Sequence, residues 1–188
     1  MLYNKNIAFV IFILKGPRRM KTLIVYYSLT GKTERLVRFL READGTERLK
    51  LRQTHDYSLP GAYLFGAARA RSGKGAQLRP VDLDISEFDR IVLAGPVWAG
   101  APAPALTGFL RSYDLTGREV HGLLVYSANA RDASARFCSE TERSGAVCAS
   151  ITTFRVSPRA LLRLEKDKSE LYLDPEGGIS LRSSSGTE

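Results

Sequence analysis

Five times along this chain a short apolar run gives way to a stretch whose apolar residues recur at helical spacing. Residues 22–27 are β-branched, aliphatic and aromatic, as in a buried strand, and Leu36, Phe39, Leu40 and Ala43 then fall on one helical stripe. Residues 46–52 alternate Leu49 and Leu51 with polar neighbours, which suits a strand near a sheet edge. Residues 62–71 follow as a helix carrying Tyr63, Leu64, Ala67 and Ala68. Residues 91–94 are apolar throughout, the signature of a central parallel strand covered on both faces. A helix over 102–113 presents Leu106, Phe109, Leu110 and Tyr113. A strand over 120–127, a helix over 133–143 and a strand over 146–156 come next. A last helix opens at Ser157 and Pro158, in the favoured cap-then-proline order, and carries Leu161, Leu164 and Leu171. Such alternation predicts an α/β fold: a doubly wound, five-stranded parallel sheet with helices on both faces. Ligands of these folds lie beyond the carboxyl ends of the strands, where strand order reverses. Three loops occupy those ends: 28–33, 96–104 and 127–132.

The first loop, Ser28, Leu29, Thr30, Gly31, Lys32 and Thr33, links a buried strand to the start of an amphipathic helix. Free N–H groups at a helix start, with hydroxyls at 28, 30 and 33, make a cradle for phosphate. A nucleoside-triphosphate loop, G-x-x-x-x-G-K-S/T, shares its last three positions with Gly31, Lys32 and Thr33. Its first glycine would have to stand at Tyr26, and a tyrosine inside a strand cannot make the turn that wraps a diphosphate. A third alternative needs no ligand: a serine or threonine simply capping the helix.

Charge argues against a nucleic-acid surface. The 188 residues carry a net charge of +8, but Lys5, Lys15, Arg18 and Arg19 with no acid place +4 of it in residues 1–19. From Met20 onward 24 basic residues face 20 acidic ones, intermixed and without a basic stripe of interleaved aromatics. The apolar run at 7–14 in that leader is too short to span a bilayer, and Lys15 to Arg19 follow it in place of a small-residue cleavage site. The leader therefore reads as an upstream extension, with Met20 as the functional start and no firm membrane association. One domain is expected over 20–173, with a frayed, serine-rich tail over 174–188. Cys138 and Cys148 read as free thiols of a reducing, cytoplasmic setting, and the two separated histidines do not form a zinc site.

The second loop holds the chain's single tryptophan, Trp98, among Pro96, Val97, Ala99, Gly100, Ala101, Pro102, Ala103 and Pro104. A loop-borne tryptophan in a rigid setting suits stacking on a flat ring; the alternative is that it folds back onto the core. With Ser28-x-Thr30-Gly31-x-Thr33 after the first strand and Pro96-x-Trp98-x-Gly100-x-x-x-Pro104 after the third, the chain resembles the flavodoxin-like family over roughly residues 20–172. The resemblance implies strand order 2-1-3-4-5 and a bound flavin mononucleotide (FMN). It places Ser28, Leu29, Thr30, Gly31, Lys32 and Thr33 around the phosphate, and Pro96, Val97, Trp98, Ala99 and Gly100 along the isoalloxazine. Ser127, Ala128, Asn129, Ala130, Arg131 and Asp132 of the third loop would meet the pyrimidine end. It implies a redox flavoprotein: an oxidoreductase delivering electrons to a small acceptor such as a quinone, or a carrier serving a redox partner protein. A non-redox module binding a phosphorylated ligand is the alternative. The mildly basic domain departs from the acidic character of flavodoxin carriers, and the third loop lacks an aromatic for the ring's second face. Tyr57, Tyr63 and Phe65 would line an outer wall or pack a helix on the sheet.

Overall fold

The computed structural model describes residues 20–40, 45–166, 170–173 and 179–182. The leader, 1–19, and Ala43 lie outside the described residues. Strands β1 (Thr22–Tyr26), β2 (Thr46–Lys50) and β3 (Arg90–Trp98) are joined by helix α1 (Lys32–Arg38) and a longer crossover. That crossover carries α2, a helical stretch made of Leu59–Gly61, a π-helical Ala62–Gly66 and Ala67–Arg71. A short β4 (Ala101–Pro102) precedes α3 (Pro104–Ser112), β5 (Glu119–Tyr126), α4 (Ala133–Arg143), β6 (Val147–Arg155) and α5 (Pro158–Lys166). Strands β7 (Glu170–Leu173) and β8 (Ile179–Arg182) form an antiparallel hairpin.

The main sheet runs β2-β1-β3-β5-β6, and these five strands pair in parallel throughout. Leaving the two-residue β4 aside, this is the expected order 2-1-3-4-5, doubly wound. The side-chain period of two sorts the strands onto two cores. Leu23, Val25, Ile91 and Leu93 face Leu106, Phe109 and Leu110 of α3 and Phe137 of α4. Ile24, Val92, Leu123 and Val125 face Leu36 and Val37 of α1 and Leu161 and Leu164 of α5. Each such aliphatic or aromatic side chain taken from water contributes about 1.5–3 kcal/mol. Gly122 matters to one face: a Cβ there would lie 2.8 Å from the Phe137 ring, so its absence lets α4 approach β5.

Three local expectations are corrected. Helix α1 stops at Arg38, and Leu40 makes an isolated bridge to Leu171. Leu171 belongs to β7, with its N–H donating to the Phe39 carbonyl at 2.7 Å. Its spacing from Leu164 mimics a helix, but its backbone bonds go to a hairpin. The partner strand Ile179–Arg182 falls within the stretch read as a tail. Ser157 does cap α5, accepting from the Ala160 N–H at 3.1 Å.

Candidate functional site at the strand ends

Position 31 shapes the first loop. Gly31 caps α1 with φ 79°, a left-handed conformation that favours glycine, and no side chain accepts the helix's leading N–H groups. The capping role considered for a serine or threonine is thus taken by a glycine. Among the described residues the hydroxyls of Ser28, Thr30 and Thr33 have no hydrogen-bond partner. Thr33 is buried, and the Lys32 ammonium reaches across to the Ser127 hydroxyl at 3.4 Å, tying the first loop to the third.

The second loop proves to be a strand and a hairpin. Strand β3 continues through Pro96, Val97 and Trp98, then reverses at Ala99 and Gly100 so that Trp98 pairs with Ala101 and Val97 with Pro102. Both turn residues have positive φ, 51° and 79°, as a type I′ two-residue turn requires. The turn residues are Ala-Gly, and Asn-Gly or Asp-Gly would have announced them more clearly.

Trp98 is braced edge-on by two tyrosines, Tyr27 at 5.9 Å and Tyr57 at 5.6 Å between ring centroids. The α2 backbone closes on it at Gly66, where a Cβ would lie 2.7 Å from the indole. Trp98 therefore packs on the core and also lines the cavity, so both expectations hold for one side chain. Burial pushes the Tyr27 phenol up to about 12, so the ring beside Trp98 stays neutral well into the alkaline range.

The three loops bound one cavity of about 520 Å³, within the range of small-molecule sites. Ser28, Leu29, Thr30, Lys32 and Thr33 line it from the first loop; Pro96, Val97, Trp98, Ala99 and Gly100 from the hairpin; Ser127, Ala128 and Asn129 from the third. Gly31 and Asp132 are not on its wall. Gly31 acts through its backbone angle, and Asp132 is the exposed residue that precedes α4. Arg131, with φ 40°, is on the wall instead.

Sequence reasoning placed Arg131 only as one member of the third loop, and it missed Val125 and a whole further wall, Leu59, Ala62, Ala67 and Arg71 from α2. Only the aromatics of that segment drew attention. Tyr57 braces Trp98 outside the cavity, and Phe65 is exposed. Nothing in residue type marked Ala62 or Ala67.

Fold and site together define a doubly wound α/β protein of flavodoxin-like topology, with a ligand cavity at its topological switch point. The chain is similar to a flavoprotein from Lactobacillus acidophilus NCFM solved in complex with FMN: TM-score 0.62, 20% identity, covering 72% of this chain and 93% of that one. The apo-form of the flavoprotein from Lactobacillus acidophilus NCFM gives a TM-score of 0.56 at 20% identity, covering 77% and 97%. Trp repressor binding protein from Bacillus subtilis gives 0.54 at 13% identity, covering 78% and 94%. At these identities the likeness is one of fold. No protein-family model matches the chain, and no curated protein does.

Proposed function

We propose that this protein binds FMN across the three loops and works as a redox flavoprotein, an oxidoreductase that passes electrons from a reduced donor to a small acceptor such as a quinone. One observation carries this: a single cavity joins an unpartnered hydroxyl turn to a braced tryptophan on the neighbouring strand end. The residues present fit the group. Ser28, Thr30 and Thr33 supply hydroxyl donors for phosphate oxygens, and Lys32 supplies a cation. Trp98 offers a rigid indole, and Pro96, Val97 and Ala99 exclude water around it. The Asn129 side-chain amide both donates and accepts, which matches an imide edge. Gly100, lacking a side chain, lets the backbone come close. Bound flavin would supply the electron or hydride chemistry, and the protein's part is to hold, orient and shield it. The Lactobacillus acidophilus flavoprotein of the same fold, seen with FMN, supports the choice of ligand.

An enzyme is favoured over a carrier by charge. A protein with 24 basic and 20 acidic residues from Met20 onward lacks the strong field that steers a shuttle to an oppositely charged partner. Anaerobic reduction of the FMN-loaded protein, followed by rapid mixing with a water-soluble quinone, tests the activity. Reoxidation that saturates with quinone concentration is expected. Reoxidation no faster than that of free reduced FMN would remove the oxidoreductase and leave a flavin-binding protein.

A further inference from the structure

Two arginines outside the hydroxyl turn, Arg71 and Arg131, line the cavity. Arg71 ends α2, the segment whose Gly66 abuts Trp98. Arg131 lies along the hairpin turn: a Cβ on Gly100 would meet its Cβ at 3.2 Å and its Cδ at 3.3 Å. Arg71 thus ends the element that closes on the indole, and Arg131 packs on the turn that follows it. Among the described residues neither has a hydrogen-bond or ion-pair partner, and no aspartate or glutamate lines the cavity. Arg131 is held at φ 40°, a conformation that costs a non-glycine residue free energy and is found where a side chain must be aimed. The wall that α2 contributes with Arg71 is otherwise apolar, with Leu59, Ala62 and Ala67. An apolar slot with two unpaired planar cations at its rim recognises a flat ring bearing a bidentate anion.

We propose that the α2 side of the cavity is a subsite for a reducible aromatic carboxylate or sulfonate, such as an anionic quinone, held by Arg71 and Arg131, and that the small acceptor belongs to this class. This rests on the FMN reading above and narrows it. A neutral quinone could accept a hydrogen bond from a guanidinium but would leave its charge uncompensated.

The test titrates the FMN-loaded protein by calorimetry with 2-naphthoate and with the neutral 2-naphthalenemethanol, both of which are redox-inert. Naphthoate should bind about tenfold tighter, as expected when a charge-assisted bond replaces a neutral one. Arg71→Gln and Arg131→Gln should each erase most of that preference while lowering FMN affinity by a clearly smaller factor, since neither residue belongs to the hydroxyl turn at 28–33. Equal affinity for the two probes would overturn the proposal. So would variants that lose FMN affinity in step with naphthoate, because the arginines would then be holding the flavin's own phosphate. If the chain takes up no FMN, the flavin reading fails first. A naphthoate preference that the FMN-free protein keeps, and that either arginine variant loses, would still support the subsite.

Discussion

Ala99 and Gly100 carry opposite predictions although they are neighbours in one turn. Ala99 holds φ 51° with a Cβ, so Ala99→Gly relieves strain of about 1 kcal/mol and, after the added chain entropy of glycine, leaves stability unchanged or slightly raised. Gly100→Ala adds a Cβ at φ 79° and crowds Arg131, and should cost about 1–2 kcal/mol. Urea midpoints of the two variants read this directly, and destabilisation by both would contradict a type I′ turn. Two weak acids, the buried Tyr27 and the half-buried Cys148, give the pH response. Burial holds the Tyr27 phenol and the Cys148 thiol, beside Cys138, both up to about 12. The folded state keeps them neutral where the unfolded chain ionises, at about 8.5 for a thiol and about 10 for a phenol. Their contribution is thus full below pH about 8.5 and is lost as pH rises toward 12. Unfolding midpoints should fall across that window, and Tyr27→Phe should flatten the fall above pH about 10. An unchanged slope in the variant would remove Tyr27 as a cause.

The crossover between β2 and β3 decides whether the cavity has its outer wall. It docks through a glycine seam: Gly75 lies against Gly108 of α3, and the Ala76 N–H donates to the Pro104 carbonyl at 2.8 Å. A Cβ at Gly108 would strike the Ala76 carbonyl oxygen, which is backbone and cannot swing aside. Gly108→Ala should therefore destabilise the fold by about 1–3 kcal/mol and also weaken FMN binding, because α2 leaves the wall. Stability lost with FMN affinity intact would show that α2 does not hold the ligand. This element is also where the sequence was least legible. A π-helical turn has no 3.6-residue stripe, and Ala62 and Ala67 differ in no visible way from any packed alanine. The β3 extension hid likewise, since Pro96 reads as a loop residue and Ala-Gly is a weak turn signal. Leu171 misled because a hairpin leucine can fall at helical spacing from Leu161 and Leu164. The place and order of the parallel strands, by contrast, were legible: runs such as 91–94 are apolar on both faces only where helices cover both sides.

For the molecule as a whole, the topology constrains where ligands bind more tightly than it constrains which ligand binds. Strand order 2-1-3-4-5 brings the ends of β1, β3 and β5 together, so three loops far apart in sequence share one cavity. The hydroxyl turn and the tryptophan could be read in advance because their residue types carry chemistry. Arg71 could not, since an arginine becomes part of a site only through its neighbours. Among the described residues no helix is long and apolar enough to cross a membrane. The central claim is that this cavity takes FMN, and the most direct measurement is a titration of the purified, flavin-free protein with FMN, followed by visible absorption and flavin fluorescence. The account predicts saturable one-to-one binding with a dissociation constant of about 1 μM or below, and Trp98→Ala and Lys32→Gln should each weaken it. Protein that leaves the absorption and fluorescence of FMN unchanged at tens of micromolar would contradict it.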